Sequence, residues 1–208
     1  MTPALFLDRD GTLVEPRHYP ALPADLILSE GIGPLLRRFQ DAGWALIVIT
    51  NQSGLARGLF TPDALDAMHV YLRQMLRAWD VELTGIQYCP HHPEGTVDGL
   101  AVACACRKPQ PGMLLTAARE HGVDLARSWM IGDILDDVEA GNRAGCHTAL
   151  VDLGTESPPA SANRQPDIVE PTTARALEQI AIREGLLPHR DLSPYQPARW
   201  QPALATTT

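Results

Sequence analysis

The stretch Ala4-Leu5-Phe6-Leu7-Asp8-Arg9-Asp10-Gly11-Thr12 decides how the rest of the chain is read. Four apolar residues closed by polar ones read as a short strand buried on both faces. Asp8 and Asp10 stand two apart where that strand ends, and extended backbone turns residues at that spacing the same way. In a parallel sheet they would face the crevice beyond the carboxyl ends of the strands, where open α/β folds hold ligands. Gly11 and Thr12 add a flexible residue and a hydroxyl suited to a tight turn under an anion. One such carboxylate can attack phosphorus and the other can carry a proton. Two aspartates at this spacing also occur in ordinary solvated turns, so the reading depends on what later strands bring to meet them.

Bulk composition sets the class. A chain of 208 residues is long enough for one domain with a substantial core. Its 45% apolar and 20% charged content is that of a globular protein rather than a disordered one. A net charge of −8 repels nucleic acid and acidic membrane surfaces, so neither is an expected partner. An anionic small molecule held by a few local cations remains compatible with it. No apolar run approaches the roughly 18 residues of a membrane span, and no secretory leader pattern is visible. Three of the four cysteines fall between positions 89 and 106, a clustering of metal ligands rather than of secreted disulfides. The expected location is the cytoplasm, and the expected state is a monomer.

Glu15 to Pro23 is a polar, proline-rich loop leaving the strand that bears Asp8. Arg17, His18 and Tyr19 on it are either substrate contacts or part of an ordinary surface connection. From Gly31 to Ala42, Ile32, Leu35, Leu36 and Phe39 keep helical spacing, with Gly43 as a stop. Trp44 to Ile49 is a second buried strand, ending in Thr50-Asn51-Gln52-Ser53-Gly54. A hydroxyl and amides there can bind phosphate oxygens without competing charge, or can simply end a strand. Thr61 and Pro62 open a helix whose stripe runs through Leu65, Met68, His69, Leu72, Met75, Leu76 and Trp79. His69 on that stripe is expected to be packed rather than ligating.

Thr84 to Tyr88 reads as a third strand, Pro111 to Gly122 as a helix, and Trp129 to Asp133 as a fourth strand. A helix continues from Val138 to Gly145, and Cys146 is expected to be buried and inert. Thr148 to Val151 and Asp167 to Val169 supply two more strands, and a helix from Thr173 to Arg183 closes the fold. Alternation of strands and helices predicts an α/β doubly wound parallel sheet. The expected domain is 1–186. Residues 187–208 are expected to form a flexible tail with no packed core.

Cys89-Pro90-His91-His92 and Cys104-Ala105-Cys106 bring three thiols and an imidazole into two close pairs across a loop, 89–106. Tetrahedral zinc takes such a set in a closed shell, which makes the expected Zn²⁺ structural. Either His91 or His92 would complete it. The metal would staple Gly95 to Ala103, a segment with no core of its own. Arg107 and Lys108 follow the last thiol directly, so that staple would also hold the base of two cations.

Together these stretches resemble the haloacid dehalogenase (HAD) superfamily, a Rossmann-like fold. The resemblance makes Asp8 the nucleophile and Asp10 the general acid/base. It makes Thr50 the phosphate-binding hydroxyl, with Asn51, Gln52 and Ser53 beside it on the substrate side. Lys108 corresponds to the lysine that orients the nucleophile, and Arg107 to a second substrate cation. Asp133 in Gly132-Asp133 would hold Mg²⁺ with Asp8 and the backbone carbonyl of Asp10, and Asp137 would act from behind it.

Narrower similarity joins Phe6–Thr12, Thr50–Gly58, Cys89–Gly95, Cys104–Met113 and Gly132-Asp133 to the heptose-bisphosphate and histidinol-phosphate phosphatase families. These have minimal or no cap domain and a zinc-stapled loop, with His91 as the imidazole ligand and the loop at Arg17, His18 and Tyr19 contacting substrate. The implied reaction is hydrolysis of a small phosphorylated substrate. The 7-phosphate of D-glycero-D-manno-heptose 1,7-bisphosphate leads, and histidinol phosphate is the alternative. One departure stands out: Ile134 occupies the position where the heptose family tends to carry Lys. A non-catalytic zinc-stabilised binding module is the reading from another class, and Asp8, Asp10, Lys108 and Asp133 argue against it.

Overall fold

The computed structural model describes residues 1–190, 192 and 195–200. The opening strand is β1, Ala4–Leu7, with all four side chains buried. Alternation splits them: Leu5 and Leu7 enter one core, Ala4 and Phe6 another. That is why the run is apolar throughout. The other strands are β2 (Ala45–Asn51), β3 (Gly85–Cys89), β4 (Trp129–Gly132), β5 (His147–Val151) and β6 (Ile168–Glu170). Among the described residues, five α-helices connect or follow them: α1 (Ile32–Asp41), α2 (Pro62–Arg77), α3 (Gly112–His121), α4 (Leu135–Ala144) and α5 (Thr173–Arg183).

All neighbouring strands pair in parallel, in the order β3-β2-β1-β4-β5-β6. The doubly wound parallel sheet expected from the alternation is present. Helices α1, α2 and α5 cover the Leu5/Leu7 face, while α3 and α4 cover the Phe6 face. Full burial of a Leu, Ile or Phe contributes about 1.5–3 kcal/mol relative to exposure, so these two layers supply the main driving force. The chain winds outward from β1 through β2 to β3, then returns beside β1 at β4 and winds the other way. The strand order therefore reverses between β1 and β4, which opens a crevice beyond their carboxyl ends.

Strand β2 runs two residues further than its apolar core implies, because Thr50 and Asn51 pair with Tyr88 and Cys89 of β3. Helix α2 starts as its sequence suggests, with the Thr61 hydroxyl accepting the backbone N–H of Ala64. Trp79 does not continue its buried stripe: it lies past the helix end, 50% exposed. Helix α4 begins at Leu135, three residues ahead of the expected Val138. Asp137 turns back to accept the N–H of Ile134 at 3.3 Å, so a residue read as a turn forms part of the first helical turn.

Residues 195–200 correct the expectation of an unpacked tail from Leu187 onward. Tyr195 donates to Asp152 at 2.7 Å, and Trp200 packs on Leu135, Val138 and Leu150. One aromatic ring and one buried acid give this segment an anchor that its composition conceals. The rest of the expected tail, 201–208, lies outside the described residues.

Candidate active site

The site forms where the strand order reverses. Asp8 follows β1 directly, and its backbone N–H bonds Ile131 of β4 at 2.9 Å, which holds the two strand ends together. Gly11 then turns the chain with φ +85°, and a Cβ on it would lie 2.4 Å from Asp133 Oδ2. The turn after Asp8 thus sits against the acid that follows β4, and only glycine fits both the conformation and the approach. Gly132 serves a similar end, since a Cβ there would come 2.1 Å from Asp137 Oδ2.

Oxygens of Asp8, Asp133 and Asp137 lie within 4.8 Å of one another. The single cation buried among them is Lys108. Its Nζ lies 2.5 Å from Asp8 Oδ1, 2.5 Å from Asp137 Oδ1 and 2.8 Å from the carbonyl of Ile49. The two aspartates hold the ammonium above its ordinary range against the cost of burial. One ammonium cannot balance three carboxylates, two of them buried and that of Asp133 partly so. Burial, and then repulsion by neighbouring acids against the pull of Lys108, leaves Asp8 raised to about 7 and Asp133 raised to about 8. Asp137 Oδ1 has its ion pair with Lys108 but no hydrogen bond. An excess of hard oxygen donors over the one cation among them is the chemistry of a divalent-cation site, and Mg²⁺ fits this donor set.

Asp10 is held separately. Arg9, fully buried, donates to its carboxylate from Nε at 3.1 Å and from Nη2 at 2.7 Å. Gln52 donates to Asp10 at 3.2 Å and to the Thr50 hydroxyl at 2.8 Å, and its carbonyl accepts from Arg9 at 3.2 Å. Gln52, expected beside the substrate, has both amide protons and its carbonyl committed within the protein. Because Thr50 accepts from Gln52, its own proton is free to point elsewhere. Asn51 makes a reciprocal pair with the Lys108 backbone, at 3.1 and 3.2 Å. Its amide therefore ties the end of β2 to the segment bearing the lysine.

A cavity of about 210 Å³ opens over Asp10 and is lined by Arg17, His18, Tyr19, Asn51 and Ser53 among others. Tyr19 reaches the Ser53 hydroxyl at 3.5 Å. The loop after β1 does lean over the site. His69, by contrast, lies buried on α2, and burial, then Arg9, lowers it to about 4, so it is a neutral packed ring.

The Cys/His loop lies beside this cavity. The sulfurs of Cys89, Cys104 and Cys106 lie 3.1–3.5 Å apart, with His91 Nδ1 at 3.7 Å from Cys89 and 3.4 Å from Cys106. All three thiols are free, and the four ligand atoms lie within 4.8 Å of one another, a set suited to tetrahedral zinc. His92 faces away. It contacts Arg57 Nη2 at 3.2 Å and takes the N–H of Glu94 at 3.1 Å. Burial and the charges of Arg107 and Arg57 depress its pKa. Arg57 Nε and Arg107 Nη1 are both buried without a hydrogen-bond partner.

Arg9 is the residue that local sequence reasoning left out, and Arg57, in Leu55-Ala56-Arg57-Gly58, reads there as structural rather than as a site residue. Both come from stretches quoted for other residues, and only their burial beside acids and unpaired N–H groups distinguishes them from solubilising cations.

Comparison with known proteins places the same chain among phosphatases of known fold. Residues 105–176 match the family model described as HAD-hydrolase-like. The D-glycero-beta-D-manno-heptose-1,7-bisphosphate 7-phosphatase of Escherichia coli strain K12 is 41% identical over 162 residues, covering 77% of this chain and 85% of that protein. The enzyme of the same name from Rhodopseudomonas palustris is 43% identical over 143 residues, covering 69% and 79%. Among solved structures, the D,D-heptose 1,7-bisphosphate phosphatase from B. bronchiseptica, complexed with magnesium and phosphate, superposes with a TM-score of 0.73. It shares 34% identity over 88% of this chain and 99% of its own.

Proposed function

The chain belongs to the heptose-bisphosphate phosphatase family of HAD-like hydrolases, and from that premise we propose that it removes the 7-phosphate of D-glycero-D-manno-heptose 1,7-bisphosphate through an aspartyl-phosphate on Asp8. The observation that carries the reading is the Asp8–Lys108 contact of 2.5 Å at the point where the strand order reverses. Lys108 keeps Asp8 oriented and ionised for attack, acting through position and charge. Asp10, steadied by Arg9 and Gln52, gives a proton to the leaving hydroxyl and later takes one from the water that hydrolyses the acyl phosphate. The Thr50 hydroxyl, already accepting from Gln52, donates its proton to a phosphate oxygen.

Asp8, Asp133 and the carbonyl of Asp10 would hold Mg²⁺, with Asp137 behind them. When bound, that ion offsets the charge of the carboxylates and of the phosphate they face. Cys89, His91, Cys104 and Cys106 would hold Zn²⁺ and so fix the base of Arg107 and Lys108. A bisphosphate is favoured over a monophosphate by Arg57 and Arg107, whose buried N–H groups without partners suit a second anion. Ile134 adds no cation, so this pair would carry that phosphate without help from the start of α4.

Phosphate release from the heptose bisphosphate and from histidinol phosphate, with and without Mg²⁺, tests the proposal, with Asp8→Asn as control. We expect Mg²⁺-dependent release at least about tenfold faster from the bisphosphate, with phosphorus NMR showing the 1-phosphate retained. Preference for histidinol phosphate would overturn the substrate and keep the mechanism. No release from either would overturn both.

A further inference from the structure

Helices α2 and α5 are capped locally: Thr61 and Thr172 each accept the backbone N–H three residues on. Helix α4 has no such option. Its N-cap is Ile134, which has no acceptor, and the residue before it, Asp133, faces the acid cluster. The free N–H groups at the start of α4 are therefore met by two carboxylates, one within the helix and one from outside it. Asp137 takes that of Ile134 at 3.3 Å, and Glu156, from the loop after β5, takes that of Leu135 at 3.1 Å.

Glu156 is itself clamped. Its carbonyl accepts from Arg199 Nε at 2.7 Å and from Trp200 Nε1 at 3.1 Å. Arg199 also grips Asp152 with both terminal nitrogens, and Tyr195 adds a bond to the same carboxylate. Trp200 packs on Leu135 and Val138 of α4 and on Leu150 of β5. The segment 195–200 thus meets the first turn of α4 twice, once by apolar contact and once through Glu156.

We propose that Glu156 is a positioning residue for the Mg²⁺-binding acids, held in place by Arg199 and Trp200. This rests on the reading of Asp8, Asp133 and Asp137 as an Mg²⁺ site. Leu135 lies two residues after Asp133 and two before Asp137, so the bond to its N–H sets the start of the helix between them. Asp137 in turn contacts Lys108, and Lys108 contacts Asp8. Loosening the first turn of α4 shifts the donors that the cation needs and leaves the fold, carried by two other core layers, in place.

The test is titration of Mg²⁺ into the full chain dialysed free of it, followed by calorimetry, for the unaltered protein and for Glu156→Ala, Glu156→Gln and Arg199→Met. Loss of a helix cap is worth about a factor of five, so Glu156→Ala should weaken Mg²⁺ binding about fivefold. Glu156→Gln keeps an acceptor oxygen and should recover to within about twofold, while Arg199→Met should fall between them. Thermal unfolding run in parallel identifies any variant that fails to fold, in which case the remaining two decide. Unchanged Mg²⁺ affinity in both Glu156→Ala and Arg199→Met, whatever happens to Tm, would overturn the inference. No Mg²⁺ binding by the unaltered chain would overturn the metal site itself, and the inference with it.

Discussion

The crevice around Asp8 and the loop bearing Cys89 and Cys104 adjoin each other and are built on opposite plans. In the crevice, the three clustered acids sit at the ends of regular elements: Asp8 after β1, Asp133 after β4, Asp137 in the first turn of α4. Backbone hydrogen bonding and two apolar layers place these charges, so the fold bears the cost of bringing them together. In the loop, residues 90–104 contain neither helix nor strand: Cys89 ends β3 in the core, and His91 and Cys104 reach it from irregular backbone. On the proposed reading, a metal would supply there what the core supplies in the crevice. The lesson is that a charge cluster and a ligand cluster can look alike in space and still depend on different forces.

The sharpest way to break the comparison is Asp8→Asn. It should lower kcat by at least about 10⁴-fold while leaving Tm within a few degrees, because the core positions that side chain and the change removes a repulsive buried charge. A large fall in Tm would mean that the crevice, too, depends on its own contacts. Cys104→Ser should show the opposite signature. Loss of one zinc ligand should lower Tm by roughly 10 °C and abolish stoichiometric zinc in a metal assay. Retained Tm and zinc would show that the loop needs no staple.

Arg107→Met sharpens the boundary between the two regions, since Arg107 begins where the loop ends. It should raise KM for the bisphosphate about 10- to 100-fold, the value of a charged hydrogen bond, with kcat changed little. An equal loss in kcat would place it with the crevice instead. The smallest effect belongs to Asp152, where the Arg199 hydrogen bond holds the carboxyl down at about 2 against an ordinary 3.8. A depressed folded-state pKa stabilises the protein above the unfolded value, and that contribution is lost as pH falls from about 4 to about 2. Asp152→Asn should cost about 1–2 kcal/mol at pH 6 and almost nothing near pH 2 in denaturant unfolding, given a partly exposed Arg199.

What could be read without the structure follows the same division. Residues 4–7 announce a strand because burial on both faces leaves no polar position, and Thr61-Pro62 announces a helix start because its cap is local. Cys89, Cys104, Cys106 and an imidazole at His91 or His92 are visible because ligand chemistry constrains residue type, while the choice between the two rings needs the geometry. Asp137 is different: the resemblance places it behind Asp133, but its contact with Lys108 joins positions 29 residues apart without any periodicity. Arg9 reads as a solubilising cation until Asp10 and Gln52 close around it. Residues 195–200 look unpacked because their partners, Asp152, Glu156 and Leu135, lie at least 39 positions earlier. Long-range ion pairs and lone aromatic anchors carry no local pattern, and that is where the sequence reading stopped.

The loop from His92 to Val102 begins and ends beside the same four-atom cluster, and its far side, Asp98 and Gly99, is open to solvent with nothing near Gly99 to obstruct an added side chain. Topologically it is a closed ring tied at one knot. Cutting a ring opposite its knot separates nothing. A protease site or a peptide tag inserted at Gly99 would therefore leave both arms attached to the body of the protein, one through β3 and the other through α3, while the pairing of β1 with β4 keeps the two halves together.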